Sequence, residues 1–120
     1  MYSDRLLDHF QNPRNVGELA LPAATVEVSN PACGDILRLS VRFEHGVAAE
    51  VVYKARGCTA SIAAGSVLTE WMISKSRAEL GTLKAADIEE ALGGLAPESR
   101  HAAVLCADAV KTLLRLDTGR

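Results

Sequence analysis

The hydrophobic pattern changes period near residue 57. Before that point alternation dominates: Leu37, Leu39, Val41 and Phe43 interleave with Arg38, Ser40 and Arg42. A period of two marks a strand over 36–44 with one face buried. The same rule predicts a strand over 25–30, where Val26 and Val28 share a face, and another over 47–56, where Val51 and Tyr53 do. Glu44-His45-Gly46 is the hairpin turn between the last two. Connections this short favour an antiparallel meander with one face left for helices.

Helical spacing frames these strands. At the start, Ser3 caps a short helix that puts Leu6, Leu7 and Phe10 on one face and ends at Asn12-Pro13. After Gly57-Cys58, Thr59 or Ser61 caps a helix to about Lys75, with Ile62, Val67, Leu68, Trp71 and Met72 on its apolar side. Its first turns are small residues, from Ala60 to Ser66, which permit another backbone to come close. Ser76-Arg77-Ala78-Glu79 has the form of a capping box for a short helix stopped at Gly81. A further short helix covers 85–92, before Gly93-Gly94. Ser99 caps the last helix, over roughly 100–117, with Val104, Ala107, Val110 and Leu114 as its buried stripe. The expectation is one α+β domain over 1–120: a three-stranded antiparallel sheet covered by helices, with a long C-terminal helix.

Composition narrows the class. A net charge of −2 and a pI near 5.9 leave no basic footprint for nucleic acid. No apolar run approaches the ~20 residues of a membrane span. The opening MYSDRLLDHF is charged and has no apolar signal core, so a cytoplasmic location is expected. Three cysteines, Cys33, Cys58 and Cys106, are an odd number. In a reducing compartment they are free thiols, metal ligands or redox residues, not a disulfide framework.

The chemistry gathers at Pro31-Ala32-Cys33-Gly34-Asp35. Pro31 and Gly34 make the stretch a sharp connection between strands, and in extended backbone Cys33 and Asp35 point to one side. Cys58 falls at a helix N-terminus, where the dipole favours the thiolate. His101 falls in the first turn of the last helix. Two sulfurs, one oxygen and one nitrogen from three element ends form a tetrahedral set suited to zinc, or to a cluster with mixed ligands. Each residue also has a structural reading: buried small hydrophobes for the cysteines, a turn residue for Asp35, a surface helix start for His101. Cys106 lies mid-helix and reads first as core filler, second as a thiol near the site. His9 and His45 are given no site role. With no nucleophile–base–orienter arrangement, phosphate loop or paired carboxylates in a cleft, a turnover enzyme is not expected.

Three segments together resemble the iron–sulfur cluster assembly scaffold family, of the IscU type and the N-terminal domain of NifU. They are Asp8-His9-Phe10-Gln11-Asn12-Pro13-Arg14-Asn15-Val16-Gly17, then Asn30-Pro31-Ala32-Cys33-Gly34-Asp35, then Arg56-Gly57-Cys58 followed by the small-residue helix and Thr69-Glu70-Trp71. The resemblance implies a scaffold that takes sulfur from a cysteine desulfurase, assembles a [2Fe–2S] cluster with iron, and passes it to apo-proteins. It also implies that zinc binds at the same site. Cys33, Cys58 and His101 would be ligands, and Asp35 the residue that keeps the cluster labile. The chain departs from the family where His101 is followed by Ala102 in place of a third cysteine, in a register fixed by Asp108-Ala109-Val110-Lys111. Cys106 stands four residues beyond Ala102, one helical turn deeper. Loss of that cysteine leaves two alternatives, a zinc-bound sulfur acceptor and a degenerate scaffold serving as an interaction module. Leu95-Ala96-Pro97-Glu98-Ser99 replaces the family's Leu-Pro-Pro-Val-Lys segment, which argues against recognition by the dedicated chaperone.

Overall fold

A computed structural model of the chain describes residues 2–32 and 34–116. Cys33 lies outside the described residues. Three strands, β1 (Ala24–Asn30), β2 (Asp35–Glu44) and β3 (Val47–Arg56), form an antiparallel sheet in the order β1-β2-β3. The register aligns the alternation across the sheet. Leu39 stands opposite Val26 on one side and Tyr53 on the other, and Val41 opposite Val51. These five side chains are buried almost completely and form one apolar face.

Helices cover that face. The described helices are α1 (Asp4–Gln11), α2 (Thr59–Met72), α3 (Arg77–Leu80), α4 (Ala85–Ala91) and α5 (His101–Leu116), with a 3-10 turn over Pro97–Ser99; α2 and α5 lie on the sheet, and α1 and α4 pack against them. The α+β architecture with a long last helix agrees with the alternation and the later helical spacing. Ser3 caps α1 by accepting the Leu6 N–H, and the Ser76–Glu79 capping box of α3 is complete.

Two helix faces differ from the sequence expectation. Helix α2 is buried on nearly every side, including Ala60, Ser61, Ala63, Ala64, Gly65, Ser66 and Thr69. It packs against α1, β3 and α5 at once, so no single apolar stripe describes it. It also ends at Met72, short of Lys75. Gly65 shows how close this packing is: a Cβ there would lie 2.5 Å from the Tyr53 ring. In α5 the buried stripe is Ala102, Ala103, Leu105, Cys106, Ala109, Val110 and Leu113 with Ala107, while Val104 is half exposed. Five of these eight buried residues are alanine or cysteine, so the stripe is made largely of small side chains. Ser99 belongs to the 3-10 turn, and the amides of Ala103 and Val104 donate to Arg100 O, so α5 continues from that turn without a hydroxyl cap.

The N-terminal segment is tied to α2. Nδ1 of His9 is 2.7 Å from Oγ of Ser66, and the Arg14 amide donates to the same hydroxyl oxygen at 2.9 Å. Asn15 donates to Oγ1 of Thr69 at 3.1 Å. Asn15 O accepts the Tyr53 amide and the Gly17 amide donates to Tyr53 O, both at 2.9 Å. Phe10, expected inward, is exposed, and His9 takes the buried place beside Leu6.

Candidate metal centre

Three element ends meet at one corner of the molecule. Asp35 opens β2, Cys58 is the N-cap of α2, and His101 opens α5. The carboxylate is 2% exposed. Its Oδ1 accepts the Cys58 amide at 3.2 Å, and its Oδ2 accepts the Ser61 hydroxyl at 2.6 Å. Nε2 of His101 stands 2.9 Å from Oδ2, and Sγ of Cys58 lies 3.6 Å from both Oδ2 and Nε2. The Ser61 hydroxyl is 3.3 Å from the same sulfur.

Gly57 lets this happen. Its φ is +143°, and a Cβ there would fall 2.1 Å from Oδ1 of Asp35. Only a residue with no side chain allows β3 to pass this close to the carboxylate while turning Cys58 toward it.

Burial by itself would push the Asp35 carboxyl up. The hydrogen bonds from Ser61 and the Cys58 amide, with the charge of His101, outweigh burial and hold it below its ordinary value. Asp35 is therefore kept as a carboxylate. One sulfur, one carboxylate oxygen and one imidazole nitrogen lie within 4.8 Å of one another. Soft, hard and borderline donors converging at that range suit a transition metal, with a further position left for another ligand.

Of the four residues singled out as ligands, Asp35, Cys58 and His101 are brought together, and Cys33 lies outside the described residues. Cys106 does not join them. It is 1% exposed among core side chains, and burial pushes its thiol up to about 12. At neutral pH it is a protonated, apolar filler. His45 sits at positive φ in the hairpin turn, exposed. His9 is buried but belongs to the N-terminal tie. Ser61 escaped the sequence reading, which saw it as a cap or as one of several small residues. Its signal was its position, a hydroxyl three residues beyond a thiol at a helix start.

Residues 1–115 match the family described as NifU-like N terminal domain. The chain is 41% identical to the iron–sulfur cluster assembly scaffold protein IscU of Azotobacter vinelandii, covering 95% of this chain and 91% of that one. It is 38% identical to the protein of the same name from Haemophilus influenzae, covering 94% and 92%. Among solved structures it resembles a NifU-like N-terminal protein from Brucella abortus, at a TM-score of 0.75 and 24% identity over 98% of this chain and 95% of that one. A SUF-system scaffold protein from Fervidobacterium islandicum gives a TM-score of 0.78 at 21% identity over 94% and 96%. At those identities the two structural likenesses speak for the fold alone. The family match and the scaffold relatives span almost the whole sequence, and by them this chain belongs to the NifU-like N terminal domain family.

Proposed function

We propose that the protein is an iron–sulfur cluster assembly scaffold that holds a cluster, as cargo, on Cys33, Asp35, Cys58 and His101 and passes it to apo-proteins. The observation that carries this reading is the convergence of three chemically different ligand atoms within 4.8 Å from the ends of β2, α2 and α5. Two thiolates, a carboxylate and an imidazole complete the terminal ligation of a [2Fe–2S] cluster, and histidine ligation to cluster iron has precedent. The two scaffold relatives support the role.

Each residue has a part in that function. Cys58 offers its sulfur from the N-cap of α2, where it faces Oδ2 of Asp35 and Nε2 of His101. His101 supplies nitrogen from the start of α5, and Asp35 supplies the hard, exchangeable oxygen. Oδ2 of Asp35 and Nε2 of His101 face each other at 2.9 Å, so holding the cargo exchanges that contact for bonds to it. A cysteine desulfurase as sulfur source and apo-proteins as recipients complete the proposed cycle.

The test is anaerobic reconstitution with iron and a cysteine desulfurase, followed by visible absorbance and metal analysis on the wild type and Cys106→Ala. Equal colour in both proteins is expected, because the Cys106 thiol is enclosed and protonated. Colour lost only in the variant would make Cys106 a ligand. Zinc with no colour in either would overturn the cluster reading in favour of a zinc-bound sulfur acceptor.

A further inference from the structure

Within the ligand corner one side chain has no place in the ligand set, although it touches two of its members. Ser61, 4% exposed, donates to Oδ2 of Asp35 at 2.6 Å and lies 3.3 Å from Sγ of Cys58. We propose that Ser61 is the positioning residue of the site, fixing the Asp35 carboxylate in the rotamer that presents Oδ2 to bound metal. This inference rests on the metal-binding reading above and adds a role for a residue outside the ligand set.

The argument is geometric. A carboxylate has two oxygens, and a bond to either one alone leaves rotation about the other. In this site the Cys58 amide pins Oδ1 and the Ser61 hydroxyl pins Oδ2. The amide is part of the backbone and holds only the outer oxygen. Oδ2 is the oxygen that faces both Sγ of Cys58 and Nε2 of His101; those two groups are themselves ligands in the reading above, so Ser61 is the contact left to hold Oδ2 in place when they turn to bound metal. Ser61 can do this because α2 begins at Thr59, which puts residue 61 in the first turn beside its N-cap. A hydroxyl has a single proton, and the short contact to Oδ2 assigns it to the carboxylate. Its oxygen remains an acceptor on the side of the thiol. Hydrogen bonds of this kind to a ligating carboxylate typically govern affinity by about 10-fold or more.

Cobalt(II) alone is the probe, because thiolate-to-cobalt absorption in the near ultraviolet reports sulfur ligation and the visible bands report geometry. Titrations compare wild type, Ser61→Ala, Asp35→Ala and the double variant, with Ser61→Thr as the conservative rescue. The expected result is about a tenfold rise in the cobalt Kd for Ser61→Ala. Its visible bands should move toward those of Asp35→Ala, there should be no further loss when both changes are combined, and Ser61→Thr should recover affinity. Should Ser61→Ala fail to fold, Ser61→Thr must still bind within threefold of wild type while Asp35→Ala does not. Equal affinity in wild type and Ser61→Ala would overturn the positioning role and leave the metal site intact. So would a Ser61→Ala loss that persists undiminished without Asp35. A wild type that gives no thiolate-to-cobalt band would instead overturn the metal-binding reading itself.

Discussion

Helix α2 serves two polar clusters with two serines, and they do opposite things. Ser61, in its first turn, donates to Asp35 and helps keep a buried carboxylate charged. Ser66, one and a half turns on, meets the imidazole of His9, whose pKa is lowered by burial and by Arg14 against the opposing pull of Glu70 and Asp8. His9 is thereby held neutral. At the first cluster the side chains of Cys58 and His101 stay partly open to solvent. At the second, Ser66 and Thr69 are fully buried and are committed to His9, Arg14 and Asn15. The same hydroxyl chemistry makes a ligand site where atoms of the cluster remain reachable, and a fastening where both hydroxyls are buried and engaged.

The sharpest break in this comparison is Gly57→Ala. The new Cβ would meet Oδ1 of Asp35 at 2.1 Å on a backbone at φ +143°. A cost of about 4 kcal/mol is expected in urea unfolding, together with loss of cobalt binding, because the carboxylate must leave its place. Next comes Ser66→Ala, which strands the His9 ring nitrogen and the Arg14 amide in the interior. It should cost about 3 kcal/mol in the same assay and leave cobalt affinity unchanged. Ser61→Ala should cost about 1 kcal/mol or less, since the Cys58 amide and His101 still serve Asp35 and alanine favours the helix. Stability and metal binding therefore separate along one helix.

Acid titration sharpens the contrast with the smallest effects. Both groups have folded pKa values below their unfolded ones, of 6.5 for His9 and 3.8 for Asp35. In each case the folded state binds its proton later, so stability is intact above the unfolded value and falls as the pH drops through the folded one. The loss due to His9 starts near pH 6.5, and the loss due to Asp35 only near pH 3.8. His9→Gln should remove the first decline and keep the second, as followed by urea midpoints across pH.

Much of this was legible in the sequence, for identifiable reasons. The strands were, because Leu37, Leu39 and Val41 alternate on a sheet with one buried face. Asp35, Cys58 and His101 stood out because cysteine and histidine at element ends are conspicuous. Ser61 did not, because one hydroxyl among small residues looks like any other until the partner from β2 arrives. Helix α2 misled because it is enclosed by α1, β3 and α5 and has no polar face to set a phase. The stripe of α5 was right at Ala107 and Val110 but not at Val104, which suggests burial by type, while small residues such as Ala102, Ala103 and Ala109 fill the buried side. His9 was passed over for the same reason in reverse, a polar ring buried where Phe10 was expected.

The backbone bonds of Asn15 and Gly17 to Tyr53 have a companion at the other end of the same strand. There Ala48 donates to Lys75 O at 2.9 Å and accepts the Ser74 amide at 2.7 Å. Strand β3 is one of the two edge strands of its sheet, and an edge strand offers a ladder on which a second chain can build. Short pieces of irregular chain occupy that ladder at both ends. A second chain is thus denied one indiscriminate way of joining the molecule, by sheet extension along β3.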